Sequence, residues 1–275
     1  MVCLAALIWA GWRRRQWVLR AALLTLGLNA WLLARPGAPA TTGKPAGGFQ
    51  VRVVSFNVLT TNQNHARVLH WLQQSDADLI FLMEVDRVWA KALEPLLKTH
   101  PYHLIQPASD NFGLALYSRL PPARLKILEP RDMGLKDEMG LALTDSVEAR
   151  FETAGRPWMF VGTHPVPPMG SVFAASRDRQ LQALSGYLGR TGLPVLLAGD
   201  LNASPWSHGF RQLTDGNRLK AAAGSWKPTW RAGSLFAIPI DHALASPPLQ
   251  VESRLIGSDL GSDHRPQTMV LRWVE

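Results

Sequence analysis

PVLLAGDLNASPWS, residues 194–207, is the stretch around which the rest of the chain is read. Val195, Leu196, Leu197 and Ala198 form an unbroken apolar run, the pattern of a strand buried on both faces in an α/β core. Gly199, Asp200 and Asn202 follow where such a strand leaves its sheet, and α/β folds place ligand sites at strand ends of that kind. An ionised Asp200 can only accept hydrogen bonds, whereas Asn202 both donates and accepts, a pairing suited to a phosphate and its attacking water. The same letters also spell an Asx turn or a helix N-cap, which Ser204-Pro205 would favour. Partners elsewhere in the chain decide between the two.

The 275 residues suffice for one large domain or two small ones, with a core that needs no disulfides. Cys3 is the single cysteine, which excludes both a disulfide framework and a cysteine-based zinc site. The formal charge of +8 points toward a polyanion only until its distribution is seen. Arg13, Arg14, Arg15, Arg20, Arg35 and Lys44 all precede residue 49, and every one of the 21 acidic residues follows it. The remainder of the chain is close to neutral, so its charge argues for no particular partner.

Residues 1–34 read as a membrane anchor, either one helix or the second of a hairpin whose first member is short. Trp17 to Ala34 is interrupted only by Arg20 and Asn29, and Trp17 and Trp31 sit near its ends, where interfacial aromatics belong. The Arg13–Arg15 triplet places that side in the cytoplasm and the remainder across the membrane, in the periplasm of a bacterium. The competing reading is a cleaved signal ending near Ala38-Pro39-Ala40, after which the domain is secreted. Residues 35–48, RPGAPATTGKPAGG, form a linker unable to pack a core, and residues 49–275 form the globular domain.

Within that domain, the alternating and β-branched Phe49–Val58 predicts a strand ending near Asn57, and Asn62–Gln74 an amphipathic helix. Asp78–Val85 predicts a second buried strand, with Glu84 at its end needing a partner because an unpaired buried carboxylate is costly. Arg87–Lys98 reads as one helix, Gly113–Ser118 as a strand and residues 119–145 as irregular. Ser146–Thr153 and Pro157–Thr163 predict a hairpin with His164 at its exit, followed by a helix over Ser171–Leu188 that carries Arg177 and Arg179. Trp206, Trp226 and Trp230 suit packing better than base stacking. Ile238–Ala245 is a strand carrying Asp241 and His242, and GSDHRP at 261–266 precedes a terminal strand, Gln267–Val274.

Asn57, Glu84, His164, Asp200 with Asn202, Asp241, and Asp263 with His264 therefore all fall at predicted strand ends. Six such positions with complementary polar groups argue for a hydrolytic site. The motifs SFN (55–57), Glu84, TH (163–164), GDLN (199–202), IDH (240–242) and SDH (262–264) resemble, in order, those of the endonuclease/exonuclease/phosphatase superfamily, over residues 50–274. Together with the anchor, the chain looks like the membrane-attached bacterial branch of that group.

The resemblance implies an α/β four-layer sandwich of two face-packed β-sheets flanked by helices, and a metal-dependent phosphoesterase. It implies Glu84, Asn57 and Asp263 around Mg²⁺ (or Mn²⁺), with Asp200 and Asn202 handling the attacking water. His264 would be oriented by Asp241, and His164 would be a second catalytic imidazole; the acidic partner it would want is not evident, and Leu59 stands where many abasic endonucleases carry an acid. The physical chemistry points the same way, because in-line attack on a phosphoester needs an oriented water and charge neutralisation by a hard cation and preorganised donors. Nucleic acid, a lipid headgroup and a phosphomonoester all remain open as substrates. A non-catalytic periplasmic binding or scaffold module on the same fold is the alternative.

Overall fold

In a computed structural model of the chain, residues 5–7, 16–34, 45–135 and 140–274 are described. The chain divides into two compact units, residues 1–37 and 38–275. The first contains helix α1, Gln16–Ala34, over the stretch expected to cross a membrane. Among the described residues no helix is long and apolar enough to do so. The Arg13–Arg15 triplet and residues 35–44 of the expected linker lie outside the described residues.

The second unit is built on two six-stranded sheets. The first contains β1 (Pro45–Asn57), β2 (Leu79–Met83), β3 (Tyr102–Gln106), β4 (Leu114–Ser118), β11 (Leu249–Ile256) and β12 (Gln267–Val274), in the order β11-β12-β1-β2-β4-β3. The second contains β5 (Pro122–Leu128), β6 (Ser146–Thr153), β7 (Arg156–Thr163), β8 (Val195–Asp200), β9 (Lys220–Ala221) and β10 (Asp241–Ala245), in the order β5-β6-β7-β8-β10-β9. Each sheet holds one parallel pair, β1 with β2 and β7 with β8. A parallel pair needs a crossover; α2 (His65–Gln74) supplies the first and α4 (Ser171–Gly189) the second. Two short helices, α3 (Arg87–Ala92) and α5 (His208–Asn217), complete the set.

Burial divides the apolar residues into three layers, as a four-layer sandwich requires. Val51, Val53, Phe81, Met83, Val147, Phe160, Leu196, Ala198 and Met269 pack in the central core. Alternate residues of the same strands face outward: Val54, Phe56, Ile80 and Leu82 pack with Val68 and Leu72 of α2. Met159, Val161 and Leu197 pack with Leu181 and Leu184 of α4. β2 and β8 are buried along their whole length, as the apolar runs at 195–198 and within 78–85 predict. Phe81 and Phe160 meet with ring centroids 5.7 Å apart, and Gly162 leaves room for the Phe81 ring, which an added Cβ would meet at 2.5 Å.

Several expectations need correction. The strands absent from the sequence reading, β3, β5, β9 and β11, are the four edges of the two sheets. An edge strand shows solvent one side and carries a mixed pattern, as Arg124 and Lys126 alternate with Leu125 and Ile127 in β5. Residues 119–145 are therefore not irregular throughout. The single helix expected over Arg87–Lys98 is α3 followed by a 3₁₀ turn, Glu94–Lys98, because Pro95 lacks the N–H that would continue the ladder. α5 was also unforeseen: Gly209 and Gly216 weaken its helical signature, and Ser207 caps it by accepting the Phe210 N–H at 3.3 Å.

Candidate active site

The topology delivers the predicted residues to one edge of the sandwich. Parallel pairing places Asn57 at the end of β1 opposite Met83, so Glu84 follows immediately. Asp200, the last residue of β8, lies opposite Asp241, the first of antiparallel β10. His164 directly follows β7, and Asp263 and His264 lie in the loop that enters β12. The sheets are tied there, because the Asp200 N–H donates to Met83 Sδ at 3.1 Å. Gly199 has φ 145°, and a Cβ on it would lie 2.0 Å from the Thr163 carbonyl oxygen. No side chain fits, which explains glycine before the acid.

Asp200 Oδ2 is the centre of the arrangement. His164 Nε2 and His264 Nε2 each lie 3.5 Å from it, and Asn57 Nδ2 donates to it at 3.4 Å. Its other oxygen accepts the Asn202 N–H at 2.9 Å, an Asx-type turn in which Asn202 has φ 47°. The Asx turn read from GDLN is present, and it fixes the carboxylate. Asn57 Nδ2 also donates to Glu84 Oε1 at 2.8 Å, while its Oδ1 accepts the Leu59 N–H at 3.1 Å. That bond fixes the amide orientation. Glu84, at φ 61°, receives the Thr60 N–H at 3.3 Å on its second oxygen.

His264 Nδ1 meets Asp241 Oδ2 at 2.9 Å, leaving Nε2 facing Asp200. Ser262 locks this loop by donating to the Asn57 carbonyl at 2.8 Å and accepting the His264 N–H at 3.0 Å. Burial alone would lower the His264 pKa, but Asp241 and Asp200 outweigh it and push it up to about 10. Burial would likewise raise that of Asp200, yet His264, His164 and the Asn202 N–H hold it below the usual carboxylate value. The pair is thus an imidazolium beside an ionised carboxylate. His164 finds no acid at its other nitrogen: Nδ1 has no hydrogen-bond partner among the described residues, and the ring lies against Phe112 with centroids 5.5 Å apart. His242, beside Asp241, turns away from the cluster and bonds the Ala203 carbonyl through Nε2 at 2.8 Å.

Two sets of residues could hold a cation. Asp200, Asp241 and His264 bring one ligand atom each within 4.8 Å of one another. The His264–Asp241 hydrogen bond occupies that imidazole nitrogen and carboxylate oxygen, however, and a hard cation prefers oxygen ligands throughout. Glu84 and Asp263 each offer carboxylate oxygens outside that pair. Asp263 Oδ1 is buried without a hydrogen-bond partner among the described residues and lies 4.0 Å from His264 Nε2, while Oδ2 is held by the indole N–H of Trp230 at 2.7 Å. Asn57 offers nitrogen, rather than oxygen, to the neighbouring acids.

Helix α4, expected over Ser171–Leu188, also braces the site. On α4, Gln180 accepts the Thr144 N–H and donates to the Thr144 carbonyl and hydroxyl oxygens, while that hydroxyl donates to the His164 carbonyl at 2.8 Å. One turn earlier Arg177 donates to the Asn202 carbonyl at 2.8 Å and pairs with Asp178. Arg177 is thus spent on the loop beneath the site.

Residues 54–264 match the Endonuclease/Exonuclease/phosphatase family. The chain belongs to that family. No curated protein matches its sequence. Among solved structures it is similar to a family member from Bacteroides vulgatus, with 16% identity, a TM-score of 0.67 and coverage of 82% of this chain and 99% of that one. It is also similar to a Bacteroides thetaiotaomicron mannosyl-6-phosphatase, at 17% identity and a TM-score of 0.65, covering 80% and 99% of the two chains. A third is D. rerio TDP2 complexed with a single-strand DNA product, at 14% identity and a TM-score of 0.63, covering 81% and 98%. These likenesses establish the endonuclease/exonuclease/phosphatase fold; the neighbours span nuclease and phosphatase names.

Proposed function

We propose that this protein is a metal-dependent hydrolase of phosphoester bonds, acting by in-line attack of a water at the edge shared by the two sheets. The observation that carries the reading is the convergence of His164, His264 and Asn57 on one oxygen of Asp200. With its pKa held low, Asp200 is suited to orienting the water by accepting its hydrogen bond, with Asn202 beside it. His264, charged and aimed by Asp241, would donate to a non-bridging phosphate oxygen, and His164 would flank it. Glu84 and Asp263 would hold a divalent cation such as Mg²⁺, which neutralises charge on the phosphate and the leaving oxygen. Asn57 keeps Glu84 in position and would add a ligand oxygen only by turning its amide away from Leu59.

The test is turnover of p-nitrophenyl phosphate, bis(p-nitrophenyl) phosphate, plasmid DNA, RNA, a phosphoinositide and sphingomyelin, with and without EDTA. EDTA should abolish turnover, and His264→Ala should lower kcat roughly 10²–10³-fold, the cost of removing one preorganised donor. The substrate turned over separates nuclease, phosphatase and lipid hydrolase. Should no substrate show EDTA-sensitive hydrolysis, a non-catalytic binding module becomes the better reading.

We further propose that residues 1–34 tether the domain on the periplasmic side of a bacterial inner membrane. The arginine triplet ahead of the apolar stretch supports this. Release of the full chain by alkaline carbonate would overturn it.

A further inference from the structure

The segment Thr229–Arg231 was unforeseen as part of the site, yet it splints the two loops that build it. Thr229, fully buried, accepts the N–H of Asp241 at 3.1 Å through its hydroxyl, and its carbonyl accepts the Arg265 N–H at 2.8 Å. Trp230 pairs with His264 as an isolated bridge, and the Arg231 N–H donates to the Asp263 carbonyl at 2.7 Å. The backbone from 229 to 231 therefore runs alongside residues 263–265. The Trp230 side chain adds one directed contact, its indole N–H on Asp263 Oδ2. The opposite carboxylate oxygen is buried with no hydrogen-bond partner among the described residues, and His264 Nε2 lies 4.0 Å from it. The Arg231 guanidinium, 4.4 Å from the indole centroid, covers a ring face and helps hold its plane.

We propose that Trp230 is a positioning residue for the cation site: by clamping one oxygen of Asp263 it presents the other to a divalent metal. This rests on the phosphoesterase reading. An acceptor-only carboxylate has two oxygens and rotates freely unless one is pinned. Pinning it with a neutral donor leaves its charge intact for the cation, which a lysine or arginine partner would not. Hydrogen bonds of this kind, from residues that do not themselves touch the metal, commonly govern affinity 10- to 100-fold.

Isothermal titration of the full chain with Mn²⁺, and separately with Mg²⁺, reads the effect without turnover. Trp230→Phe keeps the ring and its stacking on Arg231 but removes the N–H, and should weaken cation binding ~10- to 100-fold. On an Asp263→Ala background the same change should have almost no further effect, because its target is gone. Trp230→His, which restores a ring N–H, should recover part of the affinity; it also replaces Trp230→Phe if that variant's thermal midpoint falls. Binding by Trp230→Phe within twofold of the natural protein, or equal losses in both backgrounds, would overturn the proposal. If the natural protein itself binds neither cation, the phosphoesterase reading fails first, and the two failures are thereby told apart.

Discussion

His242 stands next to Asp241 in sequence and illustrates how little adjacency says about role. Its side chain packs in the outer layer against Phe210, ring centroids 4.6 Å apart, with Nε2 on the Ala203 carbonyl. Burial, reinforced by Arg254 and opposed by the Ala203 hydrogen bond and the nearby acids, pushes its pKa down to about 4 from an ordinary 6.5. Between those values the unfolded chain binds a proton that the folded chain refuses, so stability falls as pH drops from 6.5 toward 4. The loss should approach about 3 kcal/mol once the pH is below both values. Urea unfolding at pH 7 and pH 4.5 should show most of it, and His242→Asn should flatten the dependence. A similar slope in that variant would assign the acid sensitivity to another group.

At the scale of elements, the site depends on how strands and helices end. Gly199 is where β8 turns its acid outward, and the Thr163 carbonyl leaves no room for a Cβ. Gly199→Ala should therefore cost about 2–4 kcal/mol by chemical denaturation and disturb Asp200 as well as the fold. Helix α4 makes a different contribution. Gln180→Leu leaves the buried N–H and carbonyl of Thr144 without partners, at about 1–3 kcal/mol for each group left unsatisfied. Because Thr144 also holds the His164 carbonyl, this variant should lose kcat at temperatures where it remains fully folded. Unchanged kcat would confine α4 to a structural part.

For the molecule as a whole, the decisive feature is that neither sheet owns the site. Asn57, Glu84, Asp263 and His264 come from the first sheet and its loops, and His164, Asp200 and Asp241 from the second. Phe81 is buried where the sheets meet, against Phe160 and over Gly162. Phe81→Ala should cost about 3–5 kcal/mol, the range for emptying a packed aromatic site. Leu184→Ala, in the outer layer under α4, removes a comparable volume without touching the contact between sheets. Activity per folded molecule should therefore drop more in the first variant than in the second, measured as kcat beside unfolding curves. Much of this was legible from amino-acid order alone: strands such as β2 and β8 are apolar throughout because both their faces are covered, and each acid or amide that closes such a run is conspicuous. The edge strands were not legible, since half of each faces water, nor was the 3₁₀ turn after α3. The order of residues was enough to place the candidate groups at strand ends, because burial periodicity is a local property. Only the tertiary structure decided that Trp230 would meet Asp263, that Gln180 would brace His164, and that two imidazoles would share one carboxylate oxygen. Those contacts join residues tens of positions apart, a separation that no local pattern records.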